Sequence, residues 1–480
     1  MRIFTRALAL VALVVTGIAV APAASAHDPE LSGDGAASTA ANPGQGSPNL
    51  RLFGNSPGRG VTSSDIAFAG KLAYAGDFQG FRIIDISSPR KPRVVSEFDC
   101  PGSQGDVSVY RGLLFRSVDA PRSGPTCDSV AATASTPGVW EGIQVFDVSD
   151  PRNPEVVEFI QTDCGSHTHT VLPNGKGVFI YVSSYPLTPV NIGEESNCLD
   201  VQSGGGHGYV SVIEIPDVSN PSNFEVHRAF LDEENTEQVT YDLDEALGEP
   251  PGTLGTHTFR GCHDISVFAE LELAAAACFR DAQLWDISNP IEPELIWTFR
   301  NDAIIPNDLD LWHSSAFSWD GKVVAFGDES GGGVFNRCTN PDDNQGRVWF
   351  LDIQSGEVVR EDFLANYKVP RAIPGDEPCT MHNFNFVPQT KGRMTLVSSS
   401  YVAGTTVVDV NALIDGASEE DAELGFLAPE GAITWSSYWY NGRIYANDEV
   451  RGLDIMDIAG IAGAKKLPIM NPQTQINVIR

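Results

Sequence analysis

Basic residues are scarce in this chain. Its 480 residues hold 31 Lys and Arg against 63 Asp and Glu, a formal charge of −32. A surface of that sign repels phosphates, which argues against nucleic acid and anionic membrane as partners. Long apolar runs are missing beyond the amino end, and the run there, residues 7–20, is too short to span a bilayer. No membrane span is expected. CxxC spacing is missing from the eight cysteines, which argues against a thiolate metal site. No GxGxxG or GxxxxGK pattern occurs, and no GxSxG stands at a strand-to-helix elbow, so neither a nucleotide cofactor nor a nucleophile elbow is expected. The glycine runs at 204–208 and 331–333 read as flexible connections, and the acidic stretch 340–344 lacks calcium-loop spacing. No amphipathic helical run separates the strand-like segments, which excludes an α/β chain.

The amino end carries Arg2 and Arg6, the apolar run, and then Ala24-Ser25-Ala26. That order predicts a Sec-type signal peptide over 1–26 and a secreted, extracellular or cell-envelope location. Residues 27–48, rich in Ala, Gly, Ser and Pro, read as a flexible leader.

What is present is a repeated phrase: RIIDISSPRKPRVVSEF (82–98), IQVFDVSDPRNPEVVEFI (143–160), VSVIEIPDVSNPSNFEV (210–226) and QLWDISNPIEPELIWTF (283–299). Weaker copies stand at 348–359, 406–410 and 453–458. Each copy reads as a strand of period two, a turn of Asp, Ser, Asn and Pro, and a second strand. Asp85, Asp147, Asp286 and Asp352 sit where an Asp bonds its own turn, a structural role. A further strand pair precedes each phrase, starting near 65, 106, 167, 263, 313, 382 and 436. The expected fold is all-β: a seven-bladed β-propeller of four-stranded antiparallel blades over residues 49–460, followed by a carboxyl-terminal tail over 461–480. The last blade lacks one strand. Residues 49–53 (NLRLF) resemble the missing one and are expected to close the ring, ahead of residues 475–480. Tyr241–Leu247 reads as a short helical turn inside a loop.

The phrases RIIDIS, IQVFDVS and QLWDIS resemble the LVIVD-repeat family of secreted or surface β-propellers. The likeness runs over most of residues 61–459 and implies the fold, with no uniform chemistry.

In such a blade, the connections from strand one to two and from three to four lie on one rim, and here they are short turns. The long connections 119–140, 185–208, 231–262 and 328–347 all fall on the opposite rim. Long loops on a rigid scaffold are where binding and catalysis concentrate. The eight cysteines map to that same rim. An even count in an exported chain predicts disulfides, and consecutive pairing (Cys100–Cys127, Cys164–Cys198, Cys262–Cys278, Cys338–Cys379) joins neighbouring sites. Each closure is worth about 2–4 kcal/mol.

His167, His263, His313 and His382 stand at matching inner-strand starts, and His169 projects to the same strand face as His167. Neutral imidazoles from four strands suit copper, iron or zinc. Asp65, Asp106 and Asp264, at or beside inner-strand starts, are expected to lie near the rings and to orient them by accepting hydrogen bonds. The ring of histidines resembles the four-histidine iron site of carotenoid-cleaving oxygenases and the His-rich strands of selenium-binding proteins (methanethiol oxidases). Three functions are therefore expected in order. The first is a binding propeller with a metal or ligand site, taking a small molecule, glycan or protein at the loop-rich rim. The second is a copper- or iron-dependent oxidoreductase, and the third a structural envelope protein.

Overall fold

The structure, a computed structural model, describes residues 44–132, 137–184, 209–230, 239–242, 256–259, 261–279, 281–300, 312–329, 346–357, 359, 365–373 and 378–479. The expected signal peptide, nearly all of the leader, Cys198, Cys338 and the loop stretches 204–208, 331–333 and 340–344 lie outside these residues.

Seven sheets each contain four antiparallel blade strands, and three of the sheets gain a fifth strand at an edge. The inner strands of blades 1 to 7 are Ser63–Ala69, Val107–Tyr110, Thr168–Asn174, Cys262–Phe268, Trp312–Phe317, Phe384–Phe386 and Thr434–Tyr440. Each packs against the next, and the seventh packs against the first. The result is the all-β, seven-bladed propeller expected from the repeat.

The repeat phrase explains this stacking. A blade is covered on both faces, so its middle strands are apolar on both faces: Gly80–Asp85 (GFRIID) is buried at every position but the last. The phrase's Asp then turns the chain. Asp85, Asp147 and Asp286 each accept the N–H of the Ser two residues on, at 2.8 Å, which fixes the turn before the outer strand. In blade 6 the equivalent Asp409 instead accepts from Ala412 and caps a short helix, Val410–Ile414. Apolar clusters fill the seven blade interfaces. Phe81 and Phe146 meet between blades 1 and 2, and Phe68 stacks on Tyr440 at 4.7 Å between blades 1 and 7. Truncating a fully buried Phe81 to Ala removes about 3–5 kcal/mol.

The ring closes as expected from the sequence. Leu50–Ser56 pairs antiparallel with Gly452–Ile458 and becomes the outer strand of blade 7. The carboxyl-terminal residues do something else. Ile469–Met470 pairs with Phe68 and Ala69 of blade 1, and Thr474–Gln475 pairs parallel to Val267 and Phe268 of blade 4. Between these, the Asn471 side chain binds both the N–H and the C=O of Val109 in blade 2. Thr474 reaches Val171 of blade 3 and Gln475 reaches Phe317 of blade 5. The tail thus straps the inner ends of five blades.

The helical turn expected at Tyr241–Leu247 is not found at its start. Tyr241 and Asp242 belong to a strand, Val239–Asp242, that pairs with Thr256–Phe259. The remainder of that segment falls outside the described residues.

Candidate metal centre

Four imidazoles reach the axis because the inner strands begin irregularly. In blade 4 the pairing shifts between Cys262 and Asp264, leaving His263 as an extra residue. Blade 5 shifts between Trp312 and Ser314 around His313, and blade 7 between Thr434 and Ser436 around Trp435. A bulge bends its strand and re-aims the side chain of the extra residue. His167 stands one residue and His382 two residues ahead of their inner strands, with their N–H groups on the carbonyls of Ser183 (2.8 Å) and Ser399 (2.9 Å).

The rings form a continuous arc. Centroid separations are 4.4 Å for His167–His263, 3.8 Å for His263–His313 and 4.3 Å for His313–His382. All four are buried, none more than 5% exposed. Their hydrogen bonds fix which nitrogen faces the centre. His167 donates Nδ1–H to Asp119 Oδ2 at 2.7 Å, and His263 donates Nδ1–H to the His313 carbonyl at 2.8 Å. His382 donates Nδ1–H to the Trp435 carbonyl. A carboxylate and two carbonyls only accept, so each of these rings carries its proton on Nδ1 and presents the Nε2 lone pair. The Nε2 atoms of His167 and His263 then face each other at 2.9 Å.

A carboxylate completes the group. Glu329, fully buried, lies 3.4 Å from His313 Nε2 through Oε2 and 3.6 Å from His382 Nε2 through Oε1. Tyr401 donates its hydroxyl to Oε1, and the Tyr401 and Trp435 rings stand 4.7 and 5.0 Å from the His382 ring. His263, His313 and Glu329 each bring a ligand atom close enough to share one ion. Glu329 was not among the residues singled out from sequence. Its place depends on the three-dimensional pairing, in which Asp328 lies opposite Trp312 and a bulge re-aims His313.

His169 lies apart from the arc. It shares the face of His167, toward blade 2, but one layer deeper between the blades. There its Nε2 meets Ser108 Oγ at 2.7 Å and its Nδ1 meets Ser117 Oγ at 2.8 Å. Burial lowers its pKa to about 3, so it is neutral. Asp65, Asp106 and Asp264 form a buried layer under the arc, and the described contacts do not join them to the four rings. Asp106 accepts the backbone N–H of His169 at 2.9 Å, and Asp264 accepts from Ile265 N–H at 2.8 Å and from Gln473 of the tail at 3.3 Å. Burial raises all three pKa values, Asp264 to about 7, with Asp106 raised further by the neighbouring Asp65. Orientation of the rings falls instead to Asp119 and two backbone carbonyls. Sequence parity could not separate these cases, because a blade's inner strand turns its faces to neighbouring blades and reaches the axis only at its rim end.

The arc, Asp65, Asp106 and Gln473 line a cavity of about 20 Å³, room for one water or ion. A second group, Glu214, Glu225 and His227, lies on the outer strands of blade 3. Two disulfides staple the same rim, Cys100–Cys127 and Cys262–Cys278. The second of these is the strand pair immediately before His263. Cys164 and Cys379 are also disulfide-bonded. Among the described residues, no helix is long and apolar enough to cross a membrane.

Comparison with known proteins adds little beyond the repeat. No curated protein matches the sequence. Among solved structures, the crystal structure of the computationally designed Ika8 protein aligns with 85% of this chain and 100% of its own, at 9% identity and a TM-score of 0.43. The family signal is the LVIVD repeat, matched over residues 60–100, which is the first blade of the propeller.

Proposed function

We propose that this chain is an exported β-propeller that binds one transition-metal ion (copper, iron or zinc) on its axis and presents it at the disulfide-stapled rim to a small-molecule, glycan or protein ligand. His167, His263, His313 and His382 supply nitrogens and Glu329 supplies a carboxylate. The observation that carries this reading is the 2.9 Å approach of two Nε2 atoms whose rings both hold their proton on Nδ1. Two lone pairs at that distance repel unless a proton or a metal ion is shared between them, and a metal ion also engages the neighbouring His313 and Glu329. Two nitrogens at right angles on bonds of about 2.0–2.1 Å stand about 2.9 Å apart, the arrangement of tetragonal copper and six-coordinate iron sites. Paired cysteines on the rim suit an oxidising compartment.

The test is elemental analysis of protein secreted by its own host, beside a His263→Ala/His313→Ala double variant. About one equivalent of metal in the wild type, lost in a folded variant, supports the site. Metal-free protein at full occupancy of the fold removes it.

A second reading, a metal-dependent oxidoreductase, is favoured by one feature. Tyr401 and Trp435, both oxidisable, pack on His382, and the Tyr401 hydroxyl binds Glu329. An electron-transfer or oxygen-using centre would place its aromatics there. Oxygen uptake by the metal-loaded protein with thiol and phenol substrates separates the two. Uptake lost in Tyr401→Phe supports the enzyme, and no uptake with any of them leaves the binding propeller.

A further inference from the structure

On the rim opposite the imidazoles, the tail builds a second cavity. It measures about 420 Å³ and opens among the short turns that join inner strands to second strands. Tyr110 and Trp319 come from two of those turns, and Leu467, Ile476, Lys465 and Lys466 come from the tail. That volume lies in the range of pockets that enclose a drug-sized molecule.

Its charge sets it apart from the rest of the molecule. The chain has two acids for every base, 63 against 31, yet none of the residues lining this cavity is acidic and two are lysines. Lys465 and Lys466 are exposed at the mouth, while Leu467, Ile476 and Trp319 are half-buried in the walls. Two acids border the wall and each has a partner: Glu270 accepts the N–H of the lining residue Val478 at 2.6 Å, and Asp320, next to Trp319, stands 3.8 Å from Lys322. Trp319 spends its indole N–H on the Phe386 carbonyl at 2.8 Å, which fixes the ring as a wall. An aromatic wall with an adjacent cation pair selects a flat or apolar body bearing an anionic group.

We infer that this tail-built cavity is a binding site for a small amphiphilic organic anion, such as an aromatic carboxylate or sulfonate, separate from the metal centre. Because the tail forms its walls and also straps the inner strands of blades 1 to 5, the ligand stabilises the strapped state by mass action.

The experiment uses 8-anilinonaphthalene-1-sulfonate as the anionic probe and N-phenyl-1-naphthylamine as its uncharged analogue, titrated calorimetrically into the full mature chain. The expected result is one equivalent of the anion bound. Affinity falls about tenfold or more in Lys465→Gln/Lys466→Gln and is lost in Val478→Trp, which fills the space, while His263→Ala/His313→Ala binds normally. Both lysine side chains face solvent, so unchanged thermal unfolding of that variant excludes misfolding as the cause. No binding, equal binding of the uncharged probe, binding unaffected by the lysine changes, or binding lost in the histidine variant would each overturn the inference.

Discussion

His167 and His263 come from different blades, yet their Nε2 atoms stand 2.9 Å apart while both Nδ1 protons are committed elsewhere. The apposition is built by the backbone. A bulge turns His263 inward, the Ser183 carbonyl holds His167 at its strand start, and a disulfide ties Cys262 to the neighbouring strand. Rings fixed this way need little reorganisation to take up an ion.

Glu329 is predicted to be a ligand. Glu329→Gln keeps the shape and the bond from Tyr401 but removes the charge. Metal affinity, measured by competition with a chelator, should fall about 10–100-fold or more with thermal unfolding of the metal-free protein unchanged. Unchanged affinity would restrict the site to the imidazoles.

His169 is predicted to be structural. Its two serine bonds are buried, so His169→Gln should cost about 1–3 kcal/mol in urea unfolding. Metal content should stay at the wild-type level.

Burial pushes Asp448 up to about 7 from 3.8, with the nearby Asp454 adding to the rise and bonds from Arg451 and Val450 N–H opposing it. Between about pH 4 and 7 the folded state keeps a proton that the unfolded chain has released. Its contribution to stability is therefore greatest at the acid end of this window and is lost as pH rises through 7. Asp448→Asn should flatten that slope, seen as a smaller difference between urea midpoints at pH 5 and pH 8.

The amino-terminal strand is predicted to guard the ring. Deleting residues 50–56 bares the edge of Gly452–Ile458, a strand buried at five of seven positions. Lower thermal stability and concentration-dependent aggregation should follow, read by light scattering during heating.

The scaffold was legible in the sequence because its signals are local. Period-two runs, the Asp-Ser-Asn-Pro turn and the likeness of residues 49–53 to an outer strand are all patterns within a few residues. The inner-strand histidines were legible as matching positions in successive repeats. What was not legible depends on three-dimensional closure. His169 obeys the same parity as His167 yet ends between blades, because depth along the channel has no sequence period. Asp65, Asp106 and Asp264 stand at or beside inner-strand starts but lie a layer below the rings. The tail pairs through two residues at a time, too few to show alternation, and Glu329 reaches the axis only once strand pairing is drawn.

The most direct test of the central claim is X-ray absorption at the edge of whichever metal purifies with the protein. The arrangement predicts a first shell of nitrogen and oxygen with the multiple-scattering pattern of several imidazoles, at about 2.0–2.1 Å if the ion is zinc. Loss of imidazole scattering in His167→Ala should accompany it. A shell dominated by sulfur, or by oxygen without imidazole, would contradict the axial histidine site.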